Sequence, residues 1–118
     1  MITANEYQKL CLKTAPQVST ACPENLLLQG VMGMCGEAGE AIDIVKKITF
    51  QGHKLDEEAK HHLALECGDV LWYVSTTAYA LGYDLTKIMQ MNVEKLAARY
   101  PEGFFTSERS LHRAEGDI

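Results

Sequence analysis

Apolar residues recur every three or four positions along most of the chain, which is the spacing of one face of a helix. One such stripe consists of Leu27, Val31, Met34, Ala38, Ile42 and Val45. A second stripe consists of Leu63, Cys67, Val70, Val74, Ala78 and Leu81. No segment alternates apolar and polar residues with the period of two that a half-buried strand shows. The sequence therefore predicts an all-α fold in which these stripes face the core.

Capping residues mark the first two predicted helices. Thr3 and Glu6 have the spacing of a capping box, so the first helix begins there and ends near Ala15. The second helix is predicted over residues 23–49, with a proline in its first turn and Gly52 after its end.

Two further helices follow a short connection. Asp56 suits the N-cap of a third helix, and Gly82 is its natural stop. Asp84 resembles the cap of a fourth helix that runs to about Tyr100. Because residues 51–54 form so short a connection, the second and third helices are expected to pack as a long antiparallel hairpin.

The length allows one domain. At 118 residues the chain matches the usual size of a single core, here assigned to residues 1–105. Residues 106–118 form a polar C-terminal tail that is expected to be mobile or to dock on a partner subunit. Because such a small chain cannot readily bury two large apolar stripes alone, we expect oligomerisation to complete the helical bundle.

Charge and composition exclude several classes of protein. A formal net charge of −5 argues against a nucleic acid polymer as a partner, since phosphate contacts need a basic face. The N-terminus lacks the features of a secretory signal, and no apolar run approaches the ~18 residues of a membrane span. The four cysteines show neither a C-x-x-C pair nor a disulfide pattern, so we expect reduced thiols and a cytoplasmic protein.

Two pairs of carboxylates carry the candidate chemistry. Glu37 and Glu40 lie three residues apart on the second predicted helix, and Glu66 and Asp69 have the same spacing on the third. Residues three apart share one helix face, so the hairpin would bring four acids together. Their repulsion would be relieved by a hard divalent cation such as Mg²⁺, which prefers oxygen ligands and bridges substrate phosphates.

A solvated helix face is the alternative for these acids, since charged side chains are seldom buried. Apolar residues surround the second pair, however, which makes a fully exposed face less favourable. Helical glycines near the acids each cost roughly 1 kcal/mol relative to alanine, so close approach of a helix or a ligand should offset them. These glycines are Gly30, Gly33, Gly36, Gly39 and Gly68. A loop that interrupts the helix here is the other explanation.

Three motifs together resemble a known family. They are G-E-A-G-E at residues 36–40, E-C-G-D-V-L-W-Y at 66–73 and N-V-E-K-L-A-A-R-Y-P-E-G-F at 92–104. The chain resembles MazG-like nucleotide pyrophosphohydrolases, with their E-x-x-E and E-x-x-D signature and their N-x-x-K-x-x-x-R-Y-P-x-G-F ending. The resemblance covers roughly residues 26–104.

The resemblance implies hydrolysis of a nucleoside triphosphate between its α and β phosphates, giving a monophosphate and pyrophosphate. It implies that Glu37, Glu40, Glu66 and Asp69 hold Mg²⁺, with Mn²⁺ as an alternative ion. It also implies that Asn92 and Lys95 help to hold the nucleotide, and that the chain assembles into dimers or tetramers, of which we favour the tetramer. A deoxynucleotide substrate and a role in cleansing the nucleotide pool are our working hypotheses.

Other side chains near the acids have two interpretations each. Trp72 could stack on a nucleotide base or pack in the core. Lys47 could meet the outer phosphates or simply balance the negative end of its helix. His61 and His62 are expected at solvated positions, because a zinc site normally needs three or four converging ligands.

Three alternative functions make different demands on the sequence. A di-iron bundle needs a Glu-x-x-His motif on each of two helices, and only Glu58 and His61 have that spacing. A phosphoribosyl-ATP pyrophosphohydrolase would share the predicted chemistry and differ in its substrate. A non-catalytic helical dimerisation module would leave all the acids on the surface, without metal binding.

Overall fold

Six helices and no strand make up the computed structural model, which describes residues 1–118 and confirms the all-α prediction. The helices are α1 (Ala4–Thr14), α2 (Gln17–Thr20), α3 (Pro23–Phe50), α4 (Glu57–Ala80), α5 (Leu85–Arg99) and α6 (Ser107–Leu111). They belong to two compact units, Met1–Leu85 and Thr86–Ile118. No helix combines the length and the apolar character that crossing a membrane requires.

The long helices α3 and α4 pack against each other as the predicted hairpin. Gly52 follows α3 with φ of 73°, a left-handed conformation that glycine adopts without steric cost. Asp56 caps α4 by accepting a hydrogen bond from the backbone N–H of Ala59 at 2.9 Å. These caps end one helix and start the next within seven residues, so the two helices run back along each other.

Glycines form the closest part of the contact between α3 and α4. A Cβ on Gly30 would collide with the Thr77 side chain, and a Cβ on Gly33 would collide with the Tyr73 ring. The predicted close approach is therefore present at these two positions. Around Gly36, Gly39 and Gly68, an added Cβ would meet no atom of this chain within 4 Å.

The apolar stripe of α3 is largely outside the core, which corrects the prediction that it faces inward. Val31 and Val45 are each 46% exposed, and Ile42 is 68% exposed. Thr77, which packs against Gly30 of α3, is buried instead, and so are its neighbours Ser75 and Thr76.

Parts of the two apolar stripes border one open groove of about 590 Å³ between α3 and α4. Its lining residues are Ala38, Ala41, Ile42, Val45, Leu63, Cys67, Val70, Leu71 and Val74. The chain thus leaves a continuous apolar surface along its main hairpin.

Helix α1 packs across α4 and begins at the predicted capping box of Thr3 and Glu6. Gln8 is buried and donates from Nε2 to the backbone carbonyls of Ser75 and Tyr83, each at 3.1 Å. This amide therefore ties α1 to the C-terminal end of α4. The short helix α2, which the sequence did not predict, packs on α3.

The unit formed by Thr86–Ile118 contains most of α5, the helix α6 and the chain that follows. Arg99 donates from Nε and Nη2 to the two carboxylate oxygens of Asp117, at 2.7 and 2.6 Å. Both side chains are only 13% exposed. The polar tail, expected to be mobile or to dock on a partner, is thus tied to α5 of its own chain.

Candidate active site

Three of the four predicted carboxylates converge on the hairpin. Glu37 and Glu40 project from α3 and Glu66 from α4, and one carboxylate oxygen of each lies within 4.8 Å of the others. Spacing of three residues places the two α3 acids on one face, and the antiparallel packing brings α4 opposite them. The hairpin therefore concentrates negative charge in a small volume.

Glu66 is the buried member of this group, at 6% exposure. Its Oε1 accepts a hydrogen bond from His62 Nε2 at 3.0 Å, one helical turn earlier. Its Oε2 is buried and has no hydrogen-bond partner. A buried carboxylate oxygen without a partner is costly. The position of this atom is therefore best explained by a positively charged ligand that binds it.

The electrostatics of Glu37 reflect the same crowding. Desolvation raises the pKa of Glu37, and the neighbouring carboxylates of Glu40, Asp69 and Glu66 raise it further. Like charges in one place disfavour the ionised form, and a bound cation would relieve that repulsion.

Asp69 lies outside the group of three but close enough for its charge to act on Glu37. It also acts on Tyr7 of α1, whose hydroxyl donates to the carbonyl of Gly68 at 3.4 Å. Burial, the side chain of Cys11 and the charge of Asp69 raise the pKa of Tyr7 to about 12. The charge of Asp69 therefore acts both on an acid of the hairpin and on α1.

The donor set matches a hard divalent cation. All the converging atoms are carboxylate oxygens, which Mg²⁺ and Mn²⁺ accept, and thiols and imidazoles do not complete the set. The unpartnered Oε2 of Glu66 is the atom that such an ion would satisfy.

Lys47 and His62 both lie beside the carboxylates. The sequence predicts a possible phosphate contact for Lys47 and a solvated position for His62. Both line a cavity of about 400 Å³ that also contains Glu40 and Glu66. Lys47 forms an ion pair with Asp43 at 2.7 Å. His62 is largely exposed, as expected, but sequence reasoning missed its bond to Glu66. The signal was present in the four-residue spacing, which places both side chains on one helix face.

Trp72 has a structural contact in this chain. Its Nε1 donates to the hydroxyl of Thr14 at 2.9 Å, and its ring meets Tyr73 edge-on with centroids 4.9 Å apart. The indole thus helps to hold α1 on α4.

Asn92 and Lys95 lie on α5, within the unit formed by Thr86–Ile118, and both are exposed. Within that unit Lys95 lines a cavity of about 340 Å³ together with Arg99 and Arg113. Asn92 makes no contact that would assign it a role.

Comparisons with known proteins identify the family of this chain. The model of the MazG nucleotide pyrophosphohydrolase domain matches residues 27–104. The chain is 40% identical over 73 residues to the Gene 37 protein of Mycobacterium phage L5, which covers 61% of this chain and 64% of that protein. The match therefore spans less than two thirds of the relative's own length. No solved structure matches the chain. The matched segment contains all four predicted acids.

Proposed function

Because the chain belongs to the MazG nucleotide pyrophosphohydrolase family, we propose that it hydrolyses (deoxy)nucleoside triphosphates between the α and β phosphates. The products are a nucleoside monophosphate and pyrophosphate. The observation that carries the proposal is the buried, unpartnered Oε2 of Glu66 beside Glu37 and Glu40. An acidic pocket of this kind would repel a triphosphate unless a cation joins the two.

The carboxylates of Glu37, Glu40, Glu66 and Asp69 are the proposed metal ligands, and Mg²⁺ is the proposed ion, with Mn²⁺ as an alternative. When bound, such an ion neutralises phosphate charge and lowers the pKa of a coordinated water. The chain's own contribution is to hold the acids on two rigid helices, which fixes the position of the substrate.

One of the two acids on α3, Glu37 or Glu40, is the proposed general base, and it would serve in that role instead of as a metal ligand. Both carboxylates lie within 4.8 Å of Glu66, where a water held by the cation would give up its proton to one of them.

The proposed contacts with the nucleotide depend on the sequence motifs and on side chains near the acids. Asn92 and Lys95 are proposed nucleotide contacts because they match the family's downstream motif. Lys47 is a proposed phosphate contact, and Trp72 a proposed contact of the base. A role in cleansing the cytoplasmic deoxynucleotide pool is part of the same proposal.

A homotetramer is the proposed assembly. Support comes from the apolar groove between α3 and α4, in which Ile42 is 68% exposed. Contiguous apolar surface of this kind usually marks an interface. Native mass spectrometry of the wild type and of Ile42→Glu would test it, and a monomeric wild type would contradict it.

The function is tested by a panel of ribo- and deoxynucleoside triphosphates, together with phosphoribosyl-ATP, assayed for pyrophosphate release with and without Mg²⁺. We expect release from at least one nucleoside triphosphate that depends on the metal and that Glu66→Gln lowers by more than about 100-fold. Glu24→Gln is the matched control, because it removes a carboxylate from the first turn of α3. Activity on phosphoribosyl-ATP alone would assign the chain as a phosphoribosyl-ATP pyrophosphohydrolase. Inactivity across the whole panel would contradict the proposal.

A further inference from the structure

His62 contacts Glu66 from the preceding turn of α4. Its Nε2 lies 3.0 Å from Oε1 of Glu66, and the spacing of four residues places both side chains on one face of the helix. His62 also lines the cavity of about 400 Å³ that contains Glu40 and Glu66. The imidazole therefore belongs to the surroundings of the acids, although it lies outside the three sequence motifs of the family.

The two carboxylate oxygens of Glu66 differ in their contacts. Oε1 accepts the hydrogen bond from His62, whereas Oε2 is buried without a partner. A donor on one oxygen restricts the rotation of the carboxylate and leaves the other oxygen available to a ligand. The bond from His62 thus limits the positions that Oε2 can take.

This bond affects the direction of Glu66 more than it affects the stability of the helix. The side chain of His62 is 59% exposed and borders the open cavity. If the imidazole were removed, water could enter from the cavity and donate to Oε1 in its place. A water molecule would satisfy the oxygen, but it would not hold the carboxylate in one orientation.

A glutamate that binds a metal ion needs such support because its side chain has three torsion angles. A carboxylate that is free to rotate spends part of its time away from the other ligands, and ordering it costs conformational entropy. Hydrogen bonds from outside the ligand set orient ligating carboxylates, and their loss typically weakens metal binding or activity by roughly 10–100-fold.

The neighbouring His61 shows that the position of the imidazole matters. His61 is exposed as well, but it does not line the cavity and forms no ion pair with an acid. Successive residues of a helix point about 100° apart, so only one of the two histidines can share the face of Glu66. Replacement of His61 therefore removes the same chemical group without removing the contact.

Direct binding of the metal by His62 fits the geometry less well. Nε2 is already within hydrogen-bond distance of Oε1, and His62 has no atom in the group that converges within 4.8 Å. The members of that group are Glu37, Glu40 and Glu66. A hard ion with oxygen ligands also has less preference for imidazole.

From these contacts we infer that His62 is a positioning residue of the metal site. Its Nε2 holds the carboxylate of Glu66 through Oε1 and leaves Oε2 free for the cation that Glu37 and Glu40 also bind. This inference rests on the proposed function and adds to its metal site a residue that is not itself a ligand.

The experiment compares His62→Leu, which removes the donor, with His62→Gln, whose side-chain amide can donate from a similar position. His61→Leu is the matched control. Mn²⁺ alone is titrated into each protein, and electron paramagnetic resonance measures the free ion without any substrate. Urea denaturation in EDTA and circular dichroism measure the fold of the metal-free proteins in parallel.

We expect His62→Leu to bind Mn²⁺ about tenfold or more weakly than the wild type. His62→Gln and His61→Leu should bind it within about threefold of the wild type, and all three variants should keep the helical circular dichroism and nearly the same urea midpoint. Mn²⁺ binding that is unchanged in His62→Leu, or equally weakened in His62→Gln or His61→Leu, would overturn the inference. Loss of helical structure in His62→Leu would also overturn it, because the residue would then be needed for the fold.

The two proposals can fail separately. Binding of Mn²⁺ that depends on His62, in a protein that cleaves no triphosphate, would contradict the proposed function and keep the inference. Metal-dependent cleavage by a protein whose affinity for Mn²⁺ does not depend on His62 would contradict the inference and keep the function.

Discussion

His62 Nε2 lies 3.0 Å from Oε1 of Glu66 and satisfies one oxygen of a carboxylate whose other oxygen, Oε2, is buried without a partner. The histidine thereby helps to fix the orientation of Glu66 beside the other acids. A buried charge held in this way lowers the stability of the metal-free chain.

Glu66→Gln should therefore make the metal-free protein more stable, by about 1–2 kcal/mol, because an uncompensated buried charge is removed. The same variant should lose the stabilisation that Mg²⁺ gives the wild type, since a ligand that binds only the folded state raises the melting temperature. Thermal denaturation in EDTA and in excess Mg²⁺ measures both effects. Glu24→Gln serves as the control, and a variant that Mg²⁺ stabilises as much as the wild type would argue against metal binding by Glu66.

The raised pKa of Glu37 predicts a pH dependence of the metal-free protein. A carboxyl group whose pKa is higher in the folded state favours folding while it is protonated, and that contribution is lost as the pH rises through the folded pKa. In EDTA, we expect the free energy of unfolding of the wild type to fall as the pH rises above the ordinary pKa of glutamate. Glu37→Gln should make this fall smaller. Urea denaturation at a series of pH values gives the comparison, and identical profiles for both proteins would contradict it.

Gly33→Ala and Gly36→Ala should have opposite effects. The added methyl group at Gly33 collides with the Tyr73 ring, whereas at Gly36 it meets no atom of the chain within 4 Å. We expect Gly33→Ala to cost roughly 1–3 kcal/mol from overpacking and Gly36→Ala to gain up to about 1 kcal/mol from helix propensity. Urea denaturation of both proteins measures the difference. A stable but inactive Gly36→Ala would indicate that a ligand or another subunit uses the open space.

Asp117→Asn should release the C-terminal segment. Arg99 holds the Asp117 carboxylate with two hydrogen bonds, and this bonding lowers the pKa of Asp117. The contribution of a carboxyl group with a lowered pKa is present above the pKa of the unfolded chain and is lost as the pH falls through the folded pKa. We expect the amides of residues 106–118 to lose protection against hydrogen exchange, relative to the intrinsic exchange rate, at neutral pH in this variant and only under acidic conditions in the wild type. Glu115→Gln, an exposed neighbour, should exchange like the wild type.

Thr14→Val and Trp72→Phe separate the two interpretations of the tryptophan. Each removes one partner of the bond between Trp72 Nε1 and the Thr14 hydroxyl, so each should cost about 0.5–1.5 kcal/mol of stability. Equal destabilisation with an unchanged KM for the nucleotide would assign Trp72 to the contact with α1. A KM that rises only in Trp72→Phe would favour contact with the base.

Much of the hairpin was predictable from local chemistry. The capping box at Thr3 and Glu6, the cap at Asp56 and the glycine after α3 act within a few residues, so the sequence alone locates these helix boundaries. The short connection then determines that the two long helices run antiparallel. Helical spacing by itself also places Glu37 beside Glu40.

The burial of side chains could not be predicted in the same way. Periodicity identifies an apolar face but does not say what covers it, and here Val31, Ile42 and Val45 remain exposed along the groove. Only the tertiary structure showed that α4 approaches the glycine face of α3, where Thr77 is buried against Gly30.

Local sequence thus determined the four longer helices and the spacing of the acids, though not α2 and α6, because capping and helical periodicity depend on neighbours a few residues away. The packing of α3 on α4 decided that Glu66 is buried, that His62 bonds one of its oxygens and that Asp69 lies outside the group of three. These relationships depend on the rotation and offset of one helix against the other, which side-chain contacts between distant segments set.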